Sequence, residues 1–406
     1  MTSDNGRRRP FLPPLAALVL VLAAATACGG GGDKGTSSPR PAETAVVGHA
    51  GHSATVATPK PIALRAGERF QTLGMARPYK PVAPTAGGTD DYRCFLVDPK
   101  ITKPTFLTGF QFLPQNPDLV HHAIFYAISR TEAAEGKTLD ANTPGDGWTC
   151  FTGTGIGDAK QAIVSAPWIA AWAPGGGETL SNPGTGKLLR PGEQIVMQVH
   201  YNLLATGGKS VATDQSAIKL RLTKRGGLEP VHTTLLVAPP EIPCPAGETG
   251  RLCDRALSLW DIQRRFGEAA GAQVGGLNLL CNDNREPVPS NKTHCDRKVG
   301  EQMVVQGVAG HMHLLGRSIS VTQNPGTAGA RKLLNVPNYN FDDQGARMLD
   351  KPVTVAAGDT LRVSCRYDAT LRSKLPALQT LKPRYVLWGE GTSDEMCLGV
   401  VIWTKS

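Results

Sequence analysis

Residues 303–321 run through Val, Ala, Leu, Met and Ile with scattered polar positions, and two of those positions are His311 and His313. A long apolar run rich in β-branched residues reads as buried strand. A buried strand needs a sheet to sit in, so the run commits the chain to a β core. Side chains at i and i+2 of a strand leave on one face, so His311 and His313 can aim at one atom. Two neutral imidazoles on one face suit Cu, Zn, Fe or Ni. A pair of hydrogen-bonded core histidines is the competing reading, and other residues decide between them.

The rest of the chain agrees with a β protein. Its 406 residues include 46 Gly and 31 Pro, with few long helical patterns. Net charge is +9, but the basic residues are scattered, and no basic and aromatic patch points to nucleic acid. Arg7, Arg8 and Arg9 precede an apolar stretch, residues 11–27, that is broken by Pro13 and Pro14 and is too short to span a bilayer comfortably. It ends Ala25-Thr26-Ala27-Cys28, followed by glycines. This resembles a bacterial lipoprotein signal with Cys28 as the acylated residue, and it also fits an Ala-x-Ala cleavage site. Nine cysteines less Cys28 leave an even eight, as an oxidising compartment favours. The expectation is a signal peptide at 1–27 and a lipid-anchored flexible linker at 28–76. The protein would be exported, held through Cys28 on the outer face of the cytoplasmic membrane, or secreted if cleaved without lipidation.

Strand patterns recur at 91–97, 105–112, 118–126, 193–201 and 217–222, while 131–190 reads as irregular. Arg225-Gly226-Gly227 is the best boundary, dividing the folded part into 77–226 and 227–406. Residues 231–237 begin the second set of strands. Residues 240–300 carry four cysteines and a helical run at 256–270, and read as a disulfide-stapled insertion. Ala357-Gly358-Asp359, between 353–356 and 360–365, is a hairpin signal. Residues 396–403 are a last apolar strand.

His121 and His122 are adjacent, and neighbours on a regular strand face opposite ways. Both reach one metal only if the strand bends or ends there. His200 lies on a separate strand that could pair alongside, and three imidazoles make a plausible copper or zinc site. Met396 lies in a polar turn, Gly391-Thr392-Ser393-Asp394-Glu395-Met396-Cys397, entering the last strand. A thioether is a soft neutral ligand that suits Cu(I).

That run resembles the methionine-ligand motif of the copper type II, ascorbate-dependent monooxygenases, which include peptidylglycine α-hydroxylating monooxygenase and dopamine β-monooxygenase. The resemblance continues in order along the chain. Val120-His121-His122 is similar to the family's paired histidines, and Gln198-Val199-His200-Tyr201 to its third. His311-Met312-His313, with Leu315-Gly316, is similar to its His-x-His pair. Tyr92 and Cys94, with Trp148 and Cys150, resemble one of its disulfide pairs, and Cys365 and Cys397 fall where it has another. The match spans about residues 90–406, interrupted by the insertion.

The resemblance implies an all-β fold of two tandem antiparallel jelly-roll sandwiches, with the disulfide-stapled, partly helical insertion in the second. Each would carry one copper, the two facing across a solvent-filled cleft. His121, His122 and His200 would hold an electron-transfer copper. His311, His313 and Met396 would hold the O2-binding, catalytic one. Ascorbate would be the electron donor, a small organic molecule the substrate, and the protein a monomer. Disulfides Cys94–Cys150 and Cys365–Cys397 follow from the resemblance. The four insertion cysteines allow three connectivities, and the nested one, Cys244–Cys295 around Cys253–Cys281, is expected because it closes an excursion at its stem.

Three positions depart from the peptide-hydroxylating member. Its substrate-binding Arg, two residues before the His pair, is here Ala309. Its Asn and Tyr after the methionine motif are here Leu398 and Val400. Apolar residues there favour a small, largely apolar or aromatic substrate, unless Arg264 or Arg265 of the insertion reaches the cleft. A non-catalytic copper-binding or copper-storage lipoprotein would keep the same ligands. A zinc hydrolase on His200, His311 and His313 would need a general base, and no His-Glu-x-x-His accompanies them.

Overall fold

The computed structural model describes residues 46–47, 53–54, 62–151, 153–157, 168–210, 212–282 and 285–405. The expected signal peptide, the lipidation site Cys28 and most of the linker lie outside these residues. No helix among the described residues is long and apolar enough to cross a membrane.

The first half contributes β1 (Glu68–Gly74), β2 (Asp90–Val97), β3 (Thr105–Leu113), β4 (Val120–Ile128), β5 (Trp168–Trp172), β6 (Thr185–Leu189), β7 (Gln194–Asn202) and β8 (Ala217–Thr223). β2, β7, β4 and β5 form one antiparallel sheet, extended at its β2 edge by Trp148–Thr149. β6, β3, β8 and β1 form part of a larger one. Alternation along the strands sorts their side chains. Phe125, Met197 and Val199 pack with Leu107, Phe112, Leu220 and Leu222 of the other sheet. Tyr126, Ile128 and Val196 leave on the opposite face. Each such apolar side chain contributes roughly 1.5–3 kcal/mol on burial.

The larger sheet does not stop at the turn that holds Arg225-Gly226-Gly227. β9 (Glu229–Val237) pairs in parallel with β6, Thr185 opposite Glu229, and carries the sheet into the second half. Beyond it lie β16 (Leu398–Thr404), β11 (Met303–His311) and β14 (Arg347–Val355), in that order. β10 (Lys292–Lys298), β15 (Thr360–Tyr367), β12 (Gly316–Gln323) and β13 (Arg331–Val336) form a four-stranded sheet facing them. Val305, Val401 and Trp403 meet Ile319, Val321 and Val363 between the two. A third apolar cluster joins the halves: Tyr126 and Val196 pack with Leu235, Val237, Met396, Leu398 and two helices, α2 (Arg255–Phe266) and α3 (Glu268–Cys281).

Several local expectations change. Residues 303–321 are two strands, not one. β11 ends at His311, and β12 starts at Gly316 in the facing sheet, so His313 lies in the crossing turn. The turn is tight there, since a Cβ on Gly316 would sit 2.9 Å from the Met312 Cβ and from the Tyr339 ring. The corner at Gly358 (φ 90) is likewise not a hairpin, because β14 and β15 lie in different sheets. Residues 131–190 begin with a helix, α1 (Arg130–Asn142), whose Ser129 and Glu132 make a capping box. The single helical run is two helices, parted at Gly267 (φ 89). Lys292–Lys298, assigned to the insertion, pairs with β15 in the core sheet.

The nesting of the insertion cysteines is corrected. Cys244 joins Cys253, and Cys281 joins Cys295, with Cα separations of 5.6 and 5.0 Å. The excursion does not return to its stem. It closes a short loop before the Asp254 cap of α2, and α3 then ends beside β10, where Cys295 is buried. Cys94 joins Cys150, and Cys365 joins Cys397.

Candidate metal centres

β4 and β7 run antiparallel with His122 opposite His200. The next pair is Val120 with Tyr201, which leaves His121 as an extra residue. This bulge lets two successive side chains point to one side. The Nδ1 atoms of His121, His122 and His200 form a triangle with sides of 3.1, 3.2 and 3.3 Å. Nitrogens 2.0–2.1 Å from one ion in tetrahedral array stand about 3.3 Å apart, so the triangle fits a single first-row metal.

Neighbours hold the triangle. His200 Nε2 donates to Asp90 Oδ1 at 2.9 Å, which leaves the Nδ1 lone pair for a metal. Asp90 also accepts from the Thr392 amide at 2.9 Å and its hydroxyl at 2.6 Å. Burial alone would raise the Asp90 carboxyl, but the bonds from His200 and Thr392 outweigh it and hold the carboxyl below its ordinary range. Tyr92 stacks on His200 at 4.1 Å and Phe341 on His121 at 4.4 Å. Burial, then the nearby His200, His311 and His313, pushes His122 well below its usual value and so keeps it neutral.

The second set is built from a strand end and two turns. His311 Nδ1 donates to Gln344 Oε1 at 2.6 Å, and His313 Nδ1 to the Asp394 carbonyl at 3.2 Å. Each bond occupies Nδ1 and leaves Nε2 as the acceptor. Both Nε2 atoms are buried and have no hydrogen-bond partner. Burial, then the charge of His313, lowers His311 to about 3; burial, then His200, lowers His313 to about 4. Neutral, buried, unpartnered imidazole nitrogens are costly except as ligands. Met396 is buried between Glu395 and the disulfide-bonded Cys397. Glu395 clips the two turns together: Oε2 accepts from the His313 and Met396 amides at 3.0 and 3.1 Å, and Oε1 from Leu315 at 2.7 Å.

The two sets meet. The His122 and His311 ring centroids are 5.5 Å apart, and His121 lies 6.2 and 6.3 Å from His311 and His313. The rings of the two sets thus lie side by side, with a cavity that both sets line. Asp90–Thr392 and a Tyr92 hydroxyl bond to the Glu390 carbonyl at 2.8 Å hold the halves together. Arg265 does not reach in as a free cation, because its guanidinium pairs with Asp394 at 2.7 and 2.9 Å and with Asp261 at 2.8 Å. Arg264 also pairs with Asp261, at 2.7 Å.

Beside the sets lies a cavity of about 180 Å³, lined at the end nearest them by His122, His311, Met396, Ala309, Leu398 and Val400. All six proposed ligands are thus brought to one place. Reading the sequence missed the residues that orient them. Asp90 sits one residue before a strand pattern, and Gln344 in an irregular turn, with no spacing to mark either. Asp394 and Glu395 were visible inside the methionine motif, and their charge in an otherwise buried turn was the available signal.

Residues 284–405 match the family domain described as copper type II ascorbate-dependent monooxygenase, C-terminal domain. That stretch contains His311, His313 and Met396. A DBH-like monooxygenase protein 2 of Homo sapiens is 31% identical over 94 residues, which cover 23% of this chain and 17% of that protein. Among solved structures, the major capsid protein P2 of bacteriophage PM2 aligns over 83% of this chain and 97% of its own, at 6% identity and a TM-score of 0.28. N-glycanase F aligns over 83% and 96%, at 8% identity and a TM-score of 0.30. Similarities that loose bear on neither fold nor function.

Proposed function

We propose that this chain, whose residues 284–405 match the C-terminal domain of the copper type II ascorbate-dependent monooxygenases, hydroxylates a C–H bond of a small organic substrate. The balanced reaction takes O2, two electrons and two protons, puts one oxygen atom into the substrate and releases the other as water. A reductant such as ascorbate would supply the electrons. The observation that carries the proposal is the pair of buried, unpartnered Nε2 atoms on His311 and His313, beside Met396 and an apolar cavity.

In this reading His121, His122 and His200 hold an electron-transfer copper, and His311, His313 and Met396 hold a second one for oxygen activation. Copper, when bound, supplies the one-electron redox chemistry and the activation of O2. The chain supplies the rest. Asp90 keeps the proton of His200 on Nε2, and Gln344 and the Asp394 carbonyl keep those of His311 and His313 on Nδ1. The Met396 thioether favours Cu(I) over Cu(II). Ala309, Leu398 and Val400 desolvate the reacting end of the substrate.

The same reading makes the two halves jelly-roll domains, which their facing sheets support; the first takes in β1 (Glu68–Gly74), paired with β8, so it begins before residue 77 and the linker ends earlier than expected. It makes the protein an exported monomer, anchored through Cys28 or secreted, and four disulfides fit an oxidising compartment.

The test combines copper titration with oxygen uptake. The protein should bind about two coppers per chain if both sets fill and consume O2 with ascorbate beyond an enzyme-free copper control. Met396→Ile should abolish hydroxylation while the electron paramagnetic resonance signal of copper on the three histidines remains. Full turnover by this variant would remove Met396 as a ligand. Two bound coppers with no uptake above the control would favour copper storage.

A further inference from the structure

The cavity has a polar far end. β9, β16 and β11 lie side by side beneath it, and their registers place the lining in rows. His311 is opposite Leu398, Ala309 is opposite Val400, and Thr233 is opposite Ile402. The first row adjoins Met396. The Thr233 row lies four residues further along β16, about 13 Å away at ~3.3 Å per residue.

Lys187 enters the cavity at that end from β6. Its Nζ donates to Thr233 Oγ1 at 2.6 Å, and the Thr233 hydroxyl donates to the Trp168 carbonyl at 3.3 Å. The second bond turns the hydroxyl proton away and its lone pair toward the lysine. An ammonium has three donors, and Thr233 takes one. No carboxylate pairs with Lys187 among the described residues. The side chain is half-buried and lines the cavity, and burial lowers the ammonium to about 7. A desolvated cation without a counter-ion is an unmet demand for an anion.

Resting on the monooxygenase reading, we propose that Lys187 binds the anionic end of the substrate, which is therefore an elongated carboxylate with an apolar or aromatic body. The carboxylate sits on Lys187 and Thr233. The body runs along Ile402, Val400 and Ala309, and the far carbon reaches the His311 and Met396 end. This adds a charged end to the largely apolar or aromatic substrate expected from the sequence: Ala309, Leu398 and Val400 leave no cation beside His311 and Met396, and Lys187 stands at the opposite end.

The charged groups around Lys187 set the pH dependence. β3 and β5 contribute none. β9 contributes the exposed Glu229 and His232, whose ring stacks on Trp403 at 4.8 Å and is held low by burial and by Lys187. Glu390 also lines the cavity, and burial raises its carboxyl to about 7. Lys187 is charged below about pH 7, whereas a simple carboxylate is ionised throughout the neutral range. Carboxylate affinity is therefore highest at pH 6 and falls toward pH 8.5.

The experiment follows fluorescence of Trp168, Trp172 and Trp388, which line the cavity, in the full chain with and without copper. The probes are octanoate and octanamide, 4-phenylbutyrate and its amide, and phenethylamine. At pH 6 each carboxylate should bind roughly 10- to 100-fold tighter than its amide, as a charged hydrogen bond allows. Lys187→Met should bring the carboxylates down to the amides and leave the amides unchanged. Lys187→Arg should keep carboxylate binding and flatten its pH dependence, any residue belonging to Glu390. Thr233→Val should weaken the carboxylates several-fold. Equal binding of acid and amide, indifference to Lys187→Met, or a preference for phenethylamine would overturn the proposal. Copper binding is read separately by electron paramagnetic resonance. Lysine-dependent octanoate binding in a protein that takes no copper would refute the monooxygenase reading alone. Bound copper without acid preference would refute the anion site alone.

Discussion

The two ligand sets are held by different means. His121, His122 and His200 stand on adjacent strands of one sheet, where ladder register and a single bulge bring three Nδ1 atoms within 3.1–3.3 Å of one another. His311, His313 and Met396 come from a strand end, the turn after it, and a turn far along the chain. No ladder sets their spacing. A frame of side chains does: Glu395 joins the two turns, Gln344 and Asp394 orient the rings, and the Cys365–Cys397 disulfide anchors the methionine segment. A site built on backbone register tolerates changes around it, because many ladder bonds share the load. A site built on a few side chains loses its geometry when one goes.

The contrast is tested hardest at Glu395. Its carboxylate takes three backbone donors, and Glu395→Gln turns an amide NH2 toward at least one of them. Copper affinity at the second set should fall roughly 100-fold, the upper end for groups that orient metal ligands. Stability should fall by about 2 kcal/mol, as a buried hydrogen bond is lost and a donor left unpaired. Titration followed by electron paramagnetic resonance, with thermal unfolding, reads both. Equal loss at the two sets would break the distinction.

Asp90→Asn is the matching change at the first set. It removes the charge that fixes the His200 tautomer, but the ladder and the bulge remain. The expected loss is roughly 10-fold in copper affinity there. A loss as large as that of Glu395→Gln would show that the carboxylate, not the sheet, assembles the three histidines.

The same physical divide explains what could be read from the sequence. The ligands were legible because side chains of one chemical type stood at short spacings in apolar runs. Residues 217–222 and 193–201 became Ala217–Thr223 and Gln194–Asn202 because alternation and apolar content report burial directly. Neither signal says which sheet a strand joins, so 303–321 reads as one strand and the Gly358 corner as a hairpin. The helix Arg130–Asn142 buries only Ala133 and Gly136 and so has no apolar stripe, although its Ser129 and Glu132 cap was there to be seen. The insertion disulfides depended on where α3 ends, which nothing local encodes. Asp90 and Lys187 act through partners 110 and 46 residues away, His200 and Thr233, and carry no local pattern.

The smallest predicted effect sharpens the contrast most finely, because one residue touches both sets. Gln344 Oε1 accepts from His311 Nδ1 at 2.6 Å, and its Nε2 donates to the Phe341 carbonyl at 2.6 Å. Phe341 in turn stacks on His121. Gln344→Leu removes the acceptor, so the His311 ring is free to exchange its two nitrogens, and loosens Phe341 as well. One neutral hydrogen bond is worth about 1 kcal/mol, so the second set should lose roughly 5-fold in copper affinity. The first set should change by less than that, because a stacked ring guides His121 without fixing its nitrogens, and the bulge still does. Gln344→Glu restores an acceptor on His311, and a carboxylate there raises ligand basicity, so second-set affinity should return to the original value or exceed it while the Phe341 bond stays lost. If Gln344→Leu instead weakens both sets equally and Gln344→Glu rescues neither, the Phe341 stack is the shared support, and the two sets form one side-chain-built centre rather than a ladder-built one beside a side-chain-built one.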